Sequence, residues 1–117
     1  MTISFSMDYP PSVNHYYVRT KNGMAIGKQG KLYRRVAVYK LLPFRHHYTK
    51  DKRVAIVINV YPPDKRKRDL DNILKCCLDS LQHAAIFEDD NQIDLLTVIR
   101  REPIQGGSLS IRLTECS

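Results

Sequence analysis

The stretch that decides the fold is RVAIVINVYPP, residues 53–63. Its first nine residues are rich in β-branched side chains, and apolar residues occur on both faces of the extended chain that they would form. This pattern is typical of a central strand. The proline pair at 62–63 ends the strand, because proline has no backbone N–H to donate to a sheet. The sequence therefore predicts a central strand over residues 53–61.

Three elements are predicted before this strand. Ile3, Phe5 and Met7 alternate with polar residues, which indicates a strand with one buried face. The pair Asn22–Gly23 lies between short apolar runs and predicts a tight hairpin turn. From residue 29 to residue 42 apolar side chains recur at helical spacing, and a proline follows. The residues expected on the buried stripe of this helix are Leu32, Val36, Tyr39 and Leu42.

The second half of the chain predicts one more helix and two more strands. Residues 70–85 form an amphipathic helix, and strands at 93–102 and 108–115 flank a turn. The resulting fold class is α/β (α+β), a small mixed sheet with two main helices on one face. At 117 residues we expect one domain over residues 1–117. The stripe of the second helix comprises Leu70, Leu74, Cys77, Leu78, Leu81 and Ala85.

The charge balance is the first functional signal. Lys and Arg number 19 against 12 acidic residues, which gives a net charge of +7 and a pI near 9.5. This excess suits a polyanionic partner such as nucleic acid, because each phosphate contact releases condensed counterions. A basic protein without such a partner is the alternative.

Cysteines and histidines give no metal pattern. Cys76, Cys77 and Cys116 include no Cys-x-x-Cys pair, so we expect reduced thiols that fill the core. The four histidines lack metal-ligand spacing, and His46–His47 is expected to be a surface turn. No run is long enough to span a membrane, and no secretory signal is visible. We therefore expect a cytoplasmic protein without membrane contact.

The candidate chemistry lies around the second helix. The stretch KRKRDLDN, residues 65–72, places Asp69 and Asp71 directly after a basic run, and a second acidic group lies at Glu88–Asp90. A helix over 70–85 is about 23 Å long. The two acidic groups meet only if residues 86–90 run back along the helix or if the helix is shorter. Converging carboxylates would suit Mg²⁺ or Mn²⁺, and Lys75 would stabilise transition-state charge.

Each of these signals has a structural alternative. Asp69 is also typical of a helix N-cap, and Asp71 with Lys75 forms an ordinary i,i+4 pair. The run at 65–68 is also typical of a solvated loop. Tyr16 and Tyr17, beside Asn14 and Arg19, have the composition of a surface that stacks on bases and contacts DNA backbone. The alternative for the two tyrosines is a strand with one buried and one exposed.

Four segments resemble the RusA-type Holliday junction resolvases. They are PPSVNHYY at 10–17, RDLDNILK at 68–75, DDNQI at 89–93 and GGSLSIRLTE at 106–115. The chain departs from the family at Ala85, where a glycine that ends the helix is usual. The resemblance implies that Asp69, Asp71 and Asp90 bind Mg²⁺, with Mn²⁺ as a possible substitute. It also implies a catalytic role for Lys75 and a supporting role for Asn14.

The leading hypothesis is therefore a Mg²⁺-dependent endodeoxyribonuclease that resolves Holliday junctions by paired nicks in recombination and repair. The resemblance implies a homodimer, encoded by a cell or a phage, acting on branched DNA. Symmetric incision of a four-way junction independently requires two active sites related by a two-fold axis. The residues expected to contact DNA are Asn14, Tyr16, Arg19, Lys65, Arg66, Lys67 and Arg68. The alternatives are a metal nuclease for flaps or other branches and a non-catalytic basic DNA-binding module.

Overall fold

A computed structural model describes residues 2–47 and 51–116, without the side chains of residues 46 and 47. The predicted turn at His46–His47 is the end of a 3₁₀ helix over Leu42–His47. Whether these two residues lie at the surface is outside the described part of the chain. Two main helices and a mixed sheet confirm the predicted fold class. The strands are β1 Thr2–Met7, β2 Tyr17–Thr20, β3 Gly23–Ile26, β4 Arg53–Tyr61, β5 Ile93–Arg100 and β6 Ser108–Cys116. The α-helices are α1 Val13–Tyr16, α2 Lys28–Leu41 and α3 Leu74–His83.

Strand β4 lies inside the main sheet, as predicted. The strand order is β1-β6-β4-β5, with β4 parallel to β5 and antiparallel to β6. Val54, Ile56, Ile58 and Val60 are buried, whereas the alternate residues of β4 are only half-buried. The apolar pattern on both faces therefore does not correspond to burial on both faces, because the described helices leave one face of the sheet partly open.

The ends of α2 were predicted to within one residue, but the face that the helix buries was predicted wrongly. The expected stripe is wrong, because Leu32 and Tyr39 are 58% and 77% exposed. The buried residues are Gly30, Tyr33, Ala37 and Leu41. Both sets have helical spacing, and glycine and alanine are too small to mark their own face as the buried one.

Gly30 shows why that face turns inward. A Cβ at this position would lie 2.6 Å from Cδ1 of Tyr16, which has no exposed surface. The missing side chain therefore lets α2 approach the short helix α1 closely. After α1 the chain enters the hairpin β2–β3, whose turn residues are Lys21 and Asn22, one position earlier than predicted.

Helix α3 is shorter than predicted. Residues 70–73 form a 3₁₀ turn, and the α-helix covers Leu74–His83, about 15 Å. The predicted stripe is partly correct: Cys77 and Leu81 are buried, and Leu70, Leu74 and Leu78 are only partly buried against the core. Residues missing from that stripe complete the buried face, namely Ile73, Cys76, Ser80 and Ala84.

The helix ends in a Schellman motif built on an alanine. The N–H of Ala85 donates to the carbonyl of Gln82, and that of Ile86 donates to Leu81. Ala85 has φ +61°, in the left-handed region that favours glycine. The chain therefore turns back at Ala85 although the glycine that is usual in the family is replaced there. Ile86 and Phe87, which follow the turn, are fully buried.

The cysteines are free, and two of them belong to the core as predicted. Cys76 and Cys77 are buried, whereas Cys116 is half-buried. Burial raises the pKa of the Cys76 thiol to about 12. No helix in the described part of the chain is long and apolar enough to cross a membrane.

Candidate active site

The acidic loop after α3 is held by one buried carboxamide. Gln92 Oε1 accepts the backbone N–H groups of Glu88 and Asp89 at 2.8 and 3.0 Å. Its Nε2 donates to the carbonyl of Lys52 at 2.8 Å. These bonds connect the loop to the start of β4. Together with the turn at Ala85, they determine the path along which Asp90 returns to α3.

The neighbouring carboxylates Asp89 and Asp90 have different positions. Asp89 is the N-cap of a 3₁₀ turn over 90–92, and its side chain accepts the N–H of Asn91 at 3.0 Å. Asp90 is exposed at the surface, and its charged neighbours include Lys75 and Asp79. A hydrogen bond to the Asp89 carboxyl, partial burial and repulsion from Asp89 raise the pKa of Asp90, and Lys75 opposes this. Of the two, Asp90 is the carboxylate that lies near α3.

Lys75 has a carboxylate partner that the sequence analysis did not identify. Its Nζ lies 3.4 Å from Oδ1 of Asp79, one turn further along α3. The other oxygen of Asp79 accepts the hydroxyl of Tyr16 at 3.1 Å. The charge of Asp79 is the main reason that the pKa of Lys75 is raised, and Asp90 adds to it. Lys75 is therefore protonated and oriented by Asp79, and Asp90 is a further acidic neighbour.

The i,i+4 pairing of Asp71 with Lys75 is not observed. Asp71 lies in the 3₁₀ turn, whose three residues per turn rotate it away from the row of α3 residues that contains Lys75. Asp79 stands at the same spacing on the other side of Lys75. The i,i+4 spacing in the sequence therefore also indicated Asp79 as a partner of Lys75. The favoured order of such pairs, with the acidic residue before the lysine, indicated Asp71 instead.

Asp69 and Asp71 lie at the entrance to α3, and both are exposed. Asp69 occupies the N-cap position of the 3₁₀ turn, yet its side chain makes no cap hydrogen bond. Neither carboxylate has a hydrogen-bond or ion-pair partner among residues 2–47 and 51–116. Simple capping therefore does not account for Asp69, and both carboxylates keep their lone pairs available.

The carboxylates fit Mg²⁺ by donor type but not as a closed cage. Within the described residues, no three His, Cys, Asp or Glu side chains are arranged to hold a metal ion. Asp90 approaches Lys75 and Asp79, without completing a three-carboxylate cluster with Asp69 and Asp71. Mg²⁺ usually keeps several waters and is bound by one or two carboxylates together with substrate phosphates. Asp69 and Asp71, exposed and unpartnered, meet that requirement.

The basic loop before Asp69 is ordered by Asp64. This carboxylate accepts the N–H, Nε and Nη2 of Arg66, and it pairs with Nη1 of Arg68. These bonds lower the pKa of Asp64 well below its usual range. The Arg68 side chain is 22% exposed, whereas Arg66 is 81% exposed, and Lys65 and Lys67 are also exposed. Three cations of the run therefore face solvent, and Arg68 lies against the protein.

The amino-terminal candidates divide into exposed and buried residues. Asn14 and Arg19 are exposed, on α1 and β2. Tyr16 is fully buried, and burial together with Asp79 raises its pKa beyond its usual range. The expectation that Tyr16 stacks on bases is therefore wrong, because no face of its ring is accessible. The alternative is correct in part: Tyr16 is buried, but it lies on α1, and Tyr17 at the start of β2 is half-buried rather than exposed. The two rings pack edge-on with centroids 4.9 Å apart.

The fold and the site together define a class of protein. Carboxylates and a lysine on and beside one helix, directly after a basic loop, are the residue types from which metal-dependent nuclease sites are built. Residues 8–113 match the family model described as endodeoxyribonuclease RusA. The chain belongs to the RusA endodeoxyribonuclease family, as its four motifs indicated.

Curated relatives match nearly the whole chain. A crossover junction endodeoxyribonuclease rusA of Enterobacteria phage HK97 is 40% identical over 95% of this chain and 92% of its own length. Proteins of the same name from Shigella sonnei and Escherichia coli K12 are 32% and 31% identical, over 97% of this chain and 95% of theirs. Both phage and bacterial relatives therefore share this domain.

Proposed function

We propose that this chain is a Mg²⁺-dependent endodeoxyribonuclease that resolves Holliday junctions by paired nicks, as the names of its relatives suggest. The observation that carries the proposal is the contact of α3 with the 3₁₀ turn that contains Asp90. Helix α3 itself follows directly after the basic loop and the Asp69/Asp71 pair. A solvated acidic turn would not require the Schellman motif and the Gln92 clamp that hold this path.

The chain's own residues bind and orient the substrate strand. Exposed Lys65, Arg66 and Lys67 attract the phosphate backbone, and Asn14 and Arg19 add contacts from the amino-terminal segment. The Lys75 ammonium, held by Asp79, is placed to stabilise negative charge that develops on the reacting phosphate. Each role uses a group that is charged or exposed in the free protein.

Asp69, Asp71 and Asp90 would hold the metal ion, with Mn²⁺ as a substitute. When bound, the ion supplies Lewis-acid chemistry to the phosphodiester. Because Asp69 and Asp71 are unpartnered, binding would not require them to give up protein contacts. Repulsion from Asp89 raises the pKa of Asp90, and a bound cation would oppose that effect.

The direct test is Asp71→Asn, assayed on a synthetic four-way junction with Mg²⁺. We expect loss of nicking with junction binding retained, because the amide keeps the shape of the side chain and removes its charge. The matched control is Asp94→Asn, which removes a carboxylate paired with Arg53 away from α3. Cleavage at the wild-type rate by Asp71→Asn would overturn the catalytic assignment.

Substrate class is tested by comparing a four-way junction, a flap and a linear duplex at equal concentration. The proposal requires preferential cutting of the junction, with nicks in two opposing strands. Equal cleavage of all three would favour a less selective nuclease, and binding without any cleavage would favour a non-catalytic module.

A homodimer is part of the proposal, because paired nicks need two sites related by a two-fold axis. One described chain supplies a single arrangement of Asp69, Asp71, Lys75 and Asp90 around α3. Gel filtration with light scattering should give twice the mass of 13.6 kDa. A monomer at micromolar concentration, combined with paired nicking, would contradict this requirement.

A further inference from the structure

A second cluster of cations lies between α2 and α3, away from the basic loop. The two helices pack against each other, and a cleft of about 390 Å³ opens along their contact. Its lining consists of Lys31, Arg34, Arg35 and Val38 from α2 and His83 from the last turn of α3. Among the described residues, no carboxylate is part of this lining, although Asp and Glu make up 12 of the 117 residues.

The cations of this cleft are not neutralised by the protein. Elsewhere five of the described cations have an acidic partner, namely Lys40 with Asp8, Arg53 with Asp94, Arg66 and Arg68 with Asp64, and Lys75 with Asp79. Within residues 2–47 and 51–116, Lys31, Arg34 and Arg35 form no ion pair. Positions 31, 34 and 35 are neighbours on one face of the helix, so their charges reinforce one another.

His83 orients one of these cations without adding charge. Its Nδ1 lies 2.5 Å from Nη2 of Arg34. Burial and the positive charge of Arg34 both lower the pKa of His83, so the neutral ring accepts a hydrogen bond from the guanidinium. The Nε of Arg34 is buried and has no partner in the described part of the chain. The guanidinium is thus held by His83 in the lining of the cleft, and its Nε is left without a partner in the described part of the chain.

We propose that this cleft binds backbone phosphates of the DNA at a position distinct from the cleaved bond. The inference rests on the proposed function for its ligand, and on the cleft itself for its location. Eight residues of helix, about 12 Å, separate His83 from Lys75, so one phosphate cannot occupy both places. Lys31, Arg34 and Arg35 contact the backbone without reading sequence, and they fix the direction in which the strand leaves the active site.

The test is junction binding over a series of salt concentrations, without divalent metal, for Lys31→Gln/Arg35→Gln. Both side chains are exposed, so the double variant should fold normally, which circular dichroism checks. We expect weaker binding to all branched DNA and a salt slope reduced by about 2, one unit for each lost phosphate contact.

A matched pair of single variants controls for net charge. Arg35→Gln and Arg112→Gln each remove one exposed arginine, but Arg112 lies on β6, on the face of the sheet opposite to the buried core residues. Only Arg35→Gln should reduce the salt slope by about 1. Equal effects of the two variants, or a wild-type slope for the double variant, would overturn the inference.

The same binding assay, run without inorganic phosphate, distinguishes DNA from a small anion as the ligand of the cleft. If the cleft binds DNA backbone, the double variant binds junction more weakly with no phosphate added. If it takes only free phosphate, the variant keeps wild-type affinity under those conditions, which contradicts the proposal. Failure of the wild-type protein to cut junctions would instead overturn the proposed function, and this binding assay does not depend on cutting.

Discussion

Asp79 connects the catalytic candidate Lys75 to the core. One oxygen faces Lys75, and the other accepts the hydroxyl of Tyr16, which is buried against Gly30 of α2. The Asp79 side chain is only 24% exposed, so solvent screens the pair less than it screens a surface salt bridge. The position of the Lys75 ammonium thus depends on how α1 packs on α2.

We predict that Asp79→Asn lowers the single-turnover rate of junction cleavage by about 10- to 100-fold, because a misplaced catalytic group costs about that much. Junction affinity should not fall, since Asp79→Asn removes no positive charge. Asp79→Glu should recover part of the rate. Tyr16→Phe should cause a smaller loss, because it removes only one hydrogen bond to Asp79. A purely structural role would instead lower the melting temperature without a specific loss of rate.

Ala85 is held in a backbone conformation that glycine adopts more easily. The left-handed region costs a non-glycine residue about 1 kcal/mol or more. Ala85→Gly should therefore raise the free energy of unfolding by about 0.5–1 kcal/mol, after the greater freedom of glycine in the unfolded chain is counted. Urea denaturation measures the change. The control is Ala84→Gly, where φ is −80° and the side chain is buried, so that variant should be destabilised.

At the scale of elements, adjacent leucines at the end of α2 define its buried face. Leu41 has no exposed surface, whereas Leu42 is 46% exposed. We predict that Leu41→Ala lowers the free energy of unfolding by about 2–5 kcal/mol, because it leaves a cavity in the core. Leu42→Ala should cost less than about 1 kcal/mol. If both variants lose the same free energy of unfolding, another molecule must cover Leu42 in solution. The loss for Leu42→Ala would then depend on the protein concentration.

These helices show what periodicity could and could not predict. The existence of α2 and α3 follows from apolar spacing, and the motif residues around α3 indicated the site. The orientation of α2 could not be predicted, since it depends on the absence of a side chain at Gly30, where Tyr16 lies. Nor could the 3₁₀ start of α3 be predicted, because it is set by the packing of residues 70–73 against the core.

Long-range contacts explain the remaining part of the site. The clamp joins Gln92 to Lys52 across 40 residues, and the hydroxyl bond joins Tyr16 to Asp79 across 63. No local spacing in the sequence reports such pairs. The partner of Lys75 was therefore harder to predict than the lysine itself.

At the scale of the whole molecule, the thiols test whether residues 1–117 unfold as one domain. Burial raises the pKa of Cys76 and of Cys77, so neither thiol should react with a disulfide reagent in the native protein. We predict that at most the half-buried Cys116 reacts before unfolding, and Cys116→Ser should abolish that reaction. The two core thiols should become reactive at the urea midpoint seen by circular dichroism. Earlier reactivity would indicate a separately unfolding part.

The order of the strands in the sheet also constrains how the protein is made. β6 is inserted between β1 and β4, and β1 has no other partner in the sheet, with Ile3 opposite Leu113 and Phe5 opposite Ile111. During synthesis β1 stays unpaired until its partner strand β6, in which Leu113 lies opposite Ile3, has left the ribosome. Pairing between strands so far apart in the sequence forms slowly, because the entropy of closing the loop is lost before any stabilising contact forms. The nuclease therefore becomes active only after translation has passed β6, and until then the exposed edge of β1 is open to chaperones and to misassembly.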